Sequence, residues 1–181
     1  MHAPDEHEFI ERLRHPATQQ EAFRELVDRF SRPLYRHIRN YLIDHDDTDD
    51  VLQNTFIKVF RHIDGFKGES KIYSWMYRIA TNEAISFLKD KARKNRMSSG
   101  DYQLSVLENL TADDYFEADK LTVELHKIVA SLPEKQQIVF RMKYFEEMKY
   151  EEISAILGTS VGALKASFHH AVKKIEEYFN R

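Results

Sequence analysis

The 181-residue chain has no cysteine, only five glycines and four prolines, and no apolar run long enough to span a bilayer. Without cysteine there is no disulfide framework, thiolate nucleophile or Cys-ligated zinc, so any catalysis would fall to His, Asp, Glu, Lys, Ser or Tyr. The N-terminal stretch MHAPDEHEFIERLR carries acids where a secretory leader carries Lys or Arg, and no apolar segment follows it. A cytoplasmic protein without membrane insertion is expected. The few helix breakers fall where helical patterns stop, at Pro16, Pro33, Gly65 and Gly68, Gly100, Pro133, Gly158 and Gly162. Between them apolar residues recur every three or four positions instead of alternating, which predicts an all-α chain.

Nine histidines among many acids invite a metal-enzyme reading, but the spacing opposes it. There is no His-Glu-x-x-His, and adjacent His169 and His170 diverge by about 100° around a helix, so their rings cannot share one ion. Asp44 to Asp50 lacks the Gly and terminal Glu of a calcium loop, and its acids suit a helix start. No Gly-rich phosphate loop follows a strand. The expectation is a non-enzyme with no catalytic residue, no metal and no cofactor.

Net charge is −3, but the charge is segregated. Residues 1–60 carry eight bases against twelve acids, residues 61–96 nine against four, residues 97–120 one against six, and residues 121–181 nine against eight. A polyanion responds to the field within about 10 Å at ordinary salt, so the local +5 of residues 61–96 outweighs the global balance. The run Lys89–Arg96 has two readings, a phosphate-facing surface or a solvated helix end favoured by the macrodipole.

Two helical blocks flank an acidic stretch. In the first, Thr18-x-x-Glu21 has a capping-box pattern. Phe23, Leu26, Val27 and Phe30 form an apolar stripe that resumes after a break at Pro33 as Leu34, Ile38 and Tyr41. A third helix turns Leu52, Phe56, Val59, Phe60 and Ile63 inward and leaves Asp50, Gln53, Asn54, Ile57 and Arg61 outside. An apolar Ile57 among polar residues suggests a partner surface. Past the loop 64–70, a fourth helix places Ile72, Trp75, Met76, Ile79 and Leu88 inside, with Lys71, Ser74, Arg78, Asn82 and Lys89 on one outer face. Residues 97–121 read as a tether with only short structured pieces. The second block opens with Ser131-Leu132-Pro133-Glu134, Ser131 as N-cap, and a helix to Phe145.

Tyr150 to Ile175 reads helix, turn, helix. Ile153, Ile156 and Leu157 face inward, Gly158 supplies a left-handed stop and Ser160 caps the next helix. There Val161, Leu164, Phe168, Ala171 and Ile175 form the core stripe. The opposite face presents Gly162, Lys165, Ala166, His169 and Lys173, with Ser167 and His170 at its edge, and no acid occurs from Val161 to Ile175. Small residues permit close approach to a duplex, and Lys and His offer donors to phosphates or base edges.

These blocks, in order and spacing, resemble a bacterial RNA polymerase sigma factor of the extracytoplasmic-function subfamily of the sigma-70 family. Asp49-Asp50-Val51-Leu52-Gln53-Asn54-Thr55-Phe56-Ile57-Lys58-Val59-Phe60 looks like the region 2 helix that docks on the clamp helices of the largest polymerase subunit. Phe66-Lys67-Gly68-Glu69-Ser70 with Tyr73-Ser74-Trp75-Met76-Tyr77-Arg78-Ile79-Ala80-Thr81-Asn82 looks like the promoter-melting loop and helix. Leu132-Pro133, Tyr150-Glu151-Glu152-Ile153 and Gly158 to Leu164 look like region 4, which reads the minus-thirty-five element.

The resemblance implies two helical domains joined by a flexible acidic linker, the C-terminal one containing the helix-turn-helix: region 2 over 1–96, linker 97–121 and region 4 over 122–181. It implies core binding by Asp49, Asp50, Gln53, Asn54 and Ile57, and minus-ten DNA contacts by Phe66, Lys67, Ser70, Arg78, Asn82 and Lys89. The minus-thirty-five contacts would be Ser160, Gly162, Lys165, Ala166, Ser167, His169 and His170. It further implies three partners, RNA polymerase core, promoter DNA and an anti-sigma factor, and a linker that threads the polymerase cleft. Trp75 and Tyr77 are read as core aromatics, since rings within an apolar helix usually pack inward. This chain departs from the family at Lys149, where a Ser or Thr cap is usual, so the helix after it is expected to start less firmly. Ser167 replaces a frequent Arg, and His169-His170 supply less fixed positive charge. Two rival readings are a duplex-binding regulator that never contacts polymerase and an adaptor that binds proteins only.

Overall fold

The computed structural model describes residues 6–108 and 120–180. Its helices are α1 (Glu6–Arg14), α2 (Gln19–Leu42), α3 (His45–His62), α4 (Ile72–Lys94), α5 (Ser99–Glu108), α6 (Lys120–Ser131), α7 (Glu134–Phe140), α8 (Tyr150–Leu157) and α9 (Val161–Phe179). A 3-10 turn at Ile63–Gly65 follows α3, and a π turn at Arg141–Phe145 extends α7. No strand occurs among the described residues, and no helix there is long and apolar enough to cross a membrane.

Helices α2, α3 and α4 form the N-terminal bundle, with Leu26, Leu34, Ile38, Val59, Met76, Ala80 and Ala84 almost wholly buried. Pro33 does not break α2, which runs unbroken for 24 residues. Proline removes one helical hydrogen bond, but burial of Phe30, Leu34 and Ile38 on either side offsets that loss. Thr18 stands at the α2 N-cap without a side-chain cap bond. Its hydroxyl instead donates to the Arg12 carbonyl at 2.9 Å, so the Thr18–Glu21 box does not form and the group ties α1 to α2. Asp44 caps α3 by accepting from the Asp47 N–H at 2.9 Å.

Two side chains face opposite to the sequence reading. Phe60 is 44% exposed, whereas Thr48 and Thr55 are buried. Thr55 donates to the Val51 carbonyl at 2.8 Å and Thr48 to that of Asp44 at 2.5 Å. With their hydroxyls paired inside the helix, these threonines pack like small apolar residues, and the buried face rotates past Phe60. On α4, which α8 packs against, Ser74 is buried, whereas Lys71, Arg78, Asn82 and Lys89 of the face assigned to solvent are exposed.

The C-terminal block does not stand apart. One hydrophobic cluster runs from Phe9 through Leu88 and includes Val139, Met142, Met148, Ile153, Ile156 and Leu164, so α7, the π turn and α8 share a core with α2 and α4. A second cluster joins Ile128, Val129, Leu132, Phe140, Ala171 and Ile175. Within the stretch read as a tether, α5 is a ten-residue helix. Its Gln103 is buried and donates to the Tyr41 carbonyl at 2.8 Å, and Leu107 packs on Ile43. The rest of that stretch, 109–119, lies outside the described residues.

Ser131 does not cap α7; its hydroxyl donates to the Ile128 carbonyl at 2.7 Å in the last turn of α6, and Pro133 takes the cap position. Lys149 offers no side-chain acceptor, yet its N–H is held by the Glu152 carboxylate at 2.8 Å, so one half of a capping box secures the start of α8. Gly158 ends α8 at φ +66, a left-handed stop.

Candidate nucleic-acid interface

On α3, Asp50, Gln53, Asn54 and Ile57 are exposed, and Asp49 is half-buried beside His45 at 3.8 Å. Ile57 is 46% exposed and neighbours the unexpected Phe60. Phe60 leans edge-on against Phe23 with ring centroids 5.0 Å apart, which fixes its orientation while its outer edge meets solvent. The result is an apolar strip flanked by polar groups able to make directional bonds, a composition suited to a protein partner.

The loop between the 3-10 turn and α4 begins with Phe66, which is 3% exposed and packed against Trp75 at 5.0 Å between centroids. In this arrangement the Phe66 ring serves the core and only its backbone belongs to the loop surface. Lys67 is exposed and Ser70 half-buried. Gly68 takes φ +72, a conformation a side chain would strain. Tyr77 is buried and Trp75 half-buried, both packed with the main core. Burial pushes the Tyr77 phenol well above its ordinary pKa, so it stays neutral.

Along α4 the basic residues are partly engaged. Arg78 donates from Nε to the Ile156 carbonyl at 2.7 Å and from Nη2 to the Ala155 carbonyl at 2.8 Å, at the C-terminal end of α8. That geometry suits the negative end of a helix. Lys89 pairs with Glu134 at 2.8 Å and Lys91 with Asp47 at 2.8 Å. The Asp47 hydrogen bond raises the pKa of the Lys91 ammonium. Asn82, Lys94 and Arg96 are exposed. The Lys89–Arg96 run thus mixes groups tied to neighbouring helices with others facing solvent.

The α9 face is open. Ser160 caps the helix, accepting from the Ala163 N–H at 3.4 Å. Gly162, Lys165, Ala166, His169, His170 and Lys173 are exposed, while Ser167 is half-buried. No atom would meet a Cβ at Gly162 within 4 Å, so the helix can approach a flat partner closely there. Lys165 lies 5.7 Å above the Tyr150 ring, which steers its ammonium over α8.

Sequence reasoning missed a polar cluster where the two blocks meet. The His37 Nδ1 lies 2.9 Å from the Glu146 carboxylate, and its Nε2 lies 2.8 Å from the Thr81 hydroxyl. Asn40 also donates to Glu146, at 3.4 Å. Arg141, wholly buried, donates to the Asn40 carbonyl and sits 5.6 Å over the Tyr41 ring, while its Nε and Nη2 find no partner among the described residues. Burial lowers the Arg141 pKa to about 10, opposed by Tyr41 and Glu146. The π turn aims Arg141 inward, and a run of helical periodicity gives no sign of such a turn. Among the described residues no three His, Asp or Glu side chains form a group that could hold a metal ion.

Two helical blocks with an outward α3 strip, a glycine-bearing loop leading into a basic α4, and a helix-turn-helix define the architecture of a two-module transcription initiation factor. Residues 26–94 match sigma-70 region 2, and residues 122–175 match sigma-70 region 4. The chain is 31% identical over 163 residues to the ECF RNA polymerase sigma-E factor of Haemophilus influenzae, covering 86% of each protein. It is 29% identical over 167 residues to that of Salmonella typhimurium strain LT2, covering 87% of this chain and 86% of the relative. Among solved structures it resembles CnrH in complex with the cytosolic domain of CnrY, with TM-score 0.67, 21% identity and 95% and 96% of the two chains covered. It also resembles the sigma factor RpoE in complex with the anti-sigma factor NepR from Bartonella quintana, with TM-score 0.64, 20% identity and 87% and 96% covered. The chain belongs to the extracytoplasmic-function sigma factors of the sigma-70 family, proteins that direct RNA polymerase to promoters.

Proposed function

We propose that the three faces divide the work of initiation. The α3 strip of Asp49, Asp50, Gln53, Asn54 and Ile57, extended by Phe60, docks on the clamp helices of the polymerase core. The loop Phe66–Ser70, with Arg78, Asn82 and Lys89 of α4, captures and tracks the opened minus-ten strand. The α9 face from Ser160 to His170 reads the minus-thirty-five duplex. Chemistry belongs to the polymerase, the chain itself being no enzyme, and the protein works in the bacterial cytoplasm. The observation that carries this reading is the α9 face, acid-free and open to solvent, on a chain whose α3 also exposes an apolar strip. A duplex regulator has no use for that strip, and a protein adaptor none for that face.

Minus-ten DNA needs the Arg78 guanidinium and the Lys89 ammonium, both of which the C-terminal block holds here. Minus-ten engagement therefore requires the blocks to part, and an anti-sigma partner would act by keeping them together. Co-elution with sigma-free polymerase core, followed by run-off transcription, tests the proposal. A chain that binds DNA without core, or that binds core and never supports initiation, would overturn it.

A further inference from the structure

We infer that the N-terminal helix α1 belongs to the promoter-melting machinery, with Arg14 and Glu6 as positioning residues that clamp the two ends of the loop proposed to capture the opened minus-ten strand. The inference rests on that reading and adds a segment to it, since the match to sigma-70 region 2 begins only at residue 26. Phe9, Ile10 and Leu13 seat α1 on the bundle at 2%, 7% and 1% exposure. From this fixed base the Arg14 guanidinium donates to the Phe66 carbonyl, where the loop leaves the 3-10 turn. Glu11 steadies that guanidinium at 3.1 Å. At the other end the Glu6 Oε1 accepts the Ile72 N–H at 2.6 Å, capping α4 where Lys71 provides no side-chain cap.

Both bonds join a charged group to the backbone, the stronger class of hydrogen bond. Between the two clamps lie Lys67, Gly68, Glu69 and Ser70, with no hydrogen bond of their own to the rest of the fold among the described residues. A recess of about 450 Å³ lies between the helix and the loop, with Glu6, His7 and Ile10 on one wall and Gly68, Ser70 and Lys71 on the other. Capturing an unstacked base costs the ordering of whatever surrounds it, so fixing both loop ends beforehand lowers that cost. The clamps touch neither the α3 strip nor α9, so core binding and upstream duplex binding do not depend on them directly.

The test uses holoenzyme assembled from polymerase core and full-length chain. The probe is a single-stranded oligonucleotide carrying the non-template minus-ten sequence of a promoter that this holoenzyme transcribes. Glu6→Ala and Arg14→Met should each weaken its retention about tenfold. Glu6→Gln, which keeps an acceptor, and Arg14→Lys, which keeps a donor, should recover most of the loss. Core affinity and upstream duplex binding should stay at wild-type values, while the melting temperature of the chain falls by about 2–4 °C, as the loss of a helix cap or of a backbone hydrogen bond entails. Retention unchanged in both Glu6→Ala and Arg14→Met, or falling in step with core affinity, would overturn the clamp. Wild-type holoenzyme that transcribes yet fails to retain the oligonucleotide would overturn the assignment of the loop itself.

Discussion

The basic faces of α4 and α9 differ in availability more than in charge. On α9, Lys165, His169, His170 and Lys173 meet solvent directly. On α4, Arg78, Lys89 and Lys91 are each bonded to another part of the same chain. A polyanion can approach the first at no conformational cost, whereas it must displace internal partners from the second. On the proposed division of work, duplex recognition needs only the resting fold, and strand capture needs a rearranged one. That ordering suits a protein that has to locate a promoter before opening it.

The most damaging way to test this contrast is at the buried cluster. Glu146→Ala removes the acceptor facing His37 and Asn40, and a buried polar group left without its partner costs about 2 kcal/mol. Chemical denaturation should show that loss. Affinity of the free chain for single-stranded minus-ten DNA should rise as the blocks separate, and an unchanged affinity would mean that their packing does not restrain α4.

A comparable effect follows from His126, which lies on α6 inside the C-terminal block and stacks on Phe145 at 4.5 Å. Burial, then the nearby Arg141, lowers its pKa to about 3. Since the unfolded chain takes up this proton near pH 6.5 and the folded chain does not until about pH 3, stability is complete above that upper value. It is lost as pH falls, by about 1.4 kcal/mol per pH unit from this group. Denaturation midpoints between pH 7 and pH 5 should fall more steeply for the wild type than for His126→Phe.

On the open face, Lys165→Ala should weaken upstream duplex binding about tenfold and reduce the salt slope by about one, read by titration at several salt concentrations. The smallest change is expected for Glu134→Gln. Its exposed pair with Lys89 is worth about 0.5 kcal/mol, so minus-ten binding should strengthen by about twofold.

The sequence carried the local patterns well. The helix-turn-helix, the Gly158 stop, the Ser160 cap and the outward set on α9 all follow from the spacing of apolar, small and capping residues within 26 positions. The errors came where a remote partner decides the outcome. Phe60 and Ser74 are misassigned because hydrophobicity says nothing of a threonine satisfied by its own helix or of α8 lying across α4. Arg14 and Glu6 read as ordinary surface charges, their backbone partners lying 52 and 66 positions away. Arg141 is hidden for the same reason, 101 positions from Asn40. Pairings over such separations are written in the packing of helices, which a single-chain pattern does not encode.

The acceptors that hold Arg78 are peptide oxygens of residues 155 and 156. Every amino acid carries one, so the side chains at those two positions are free to diverge among descendants of this protein without the grip being lost. The burden of inheritance falls on the arginine alone, and on the proposed reading a lineage that shed it would change how readily its factor unlocks while leaving its upstream reading intact.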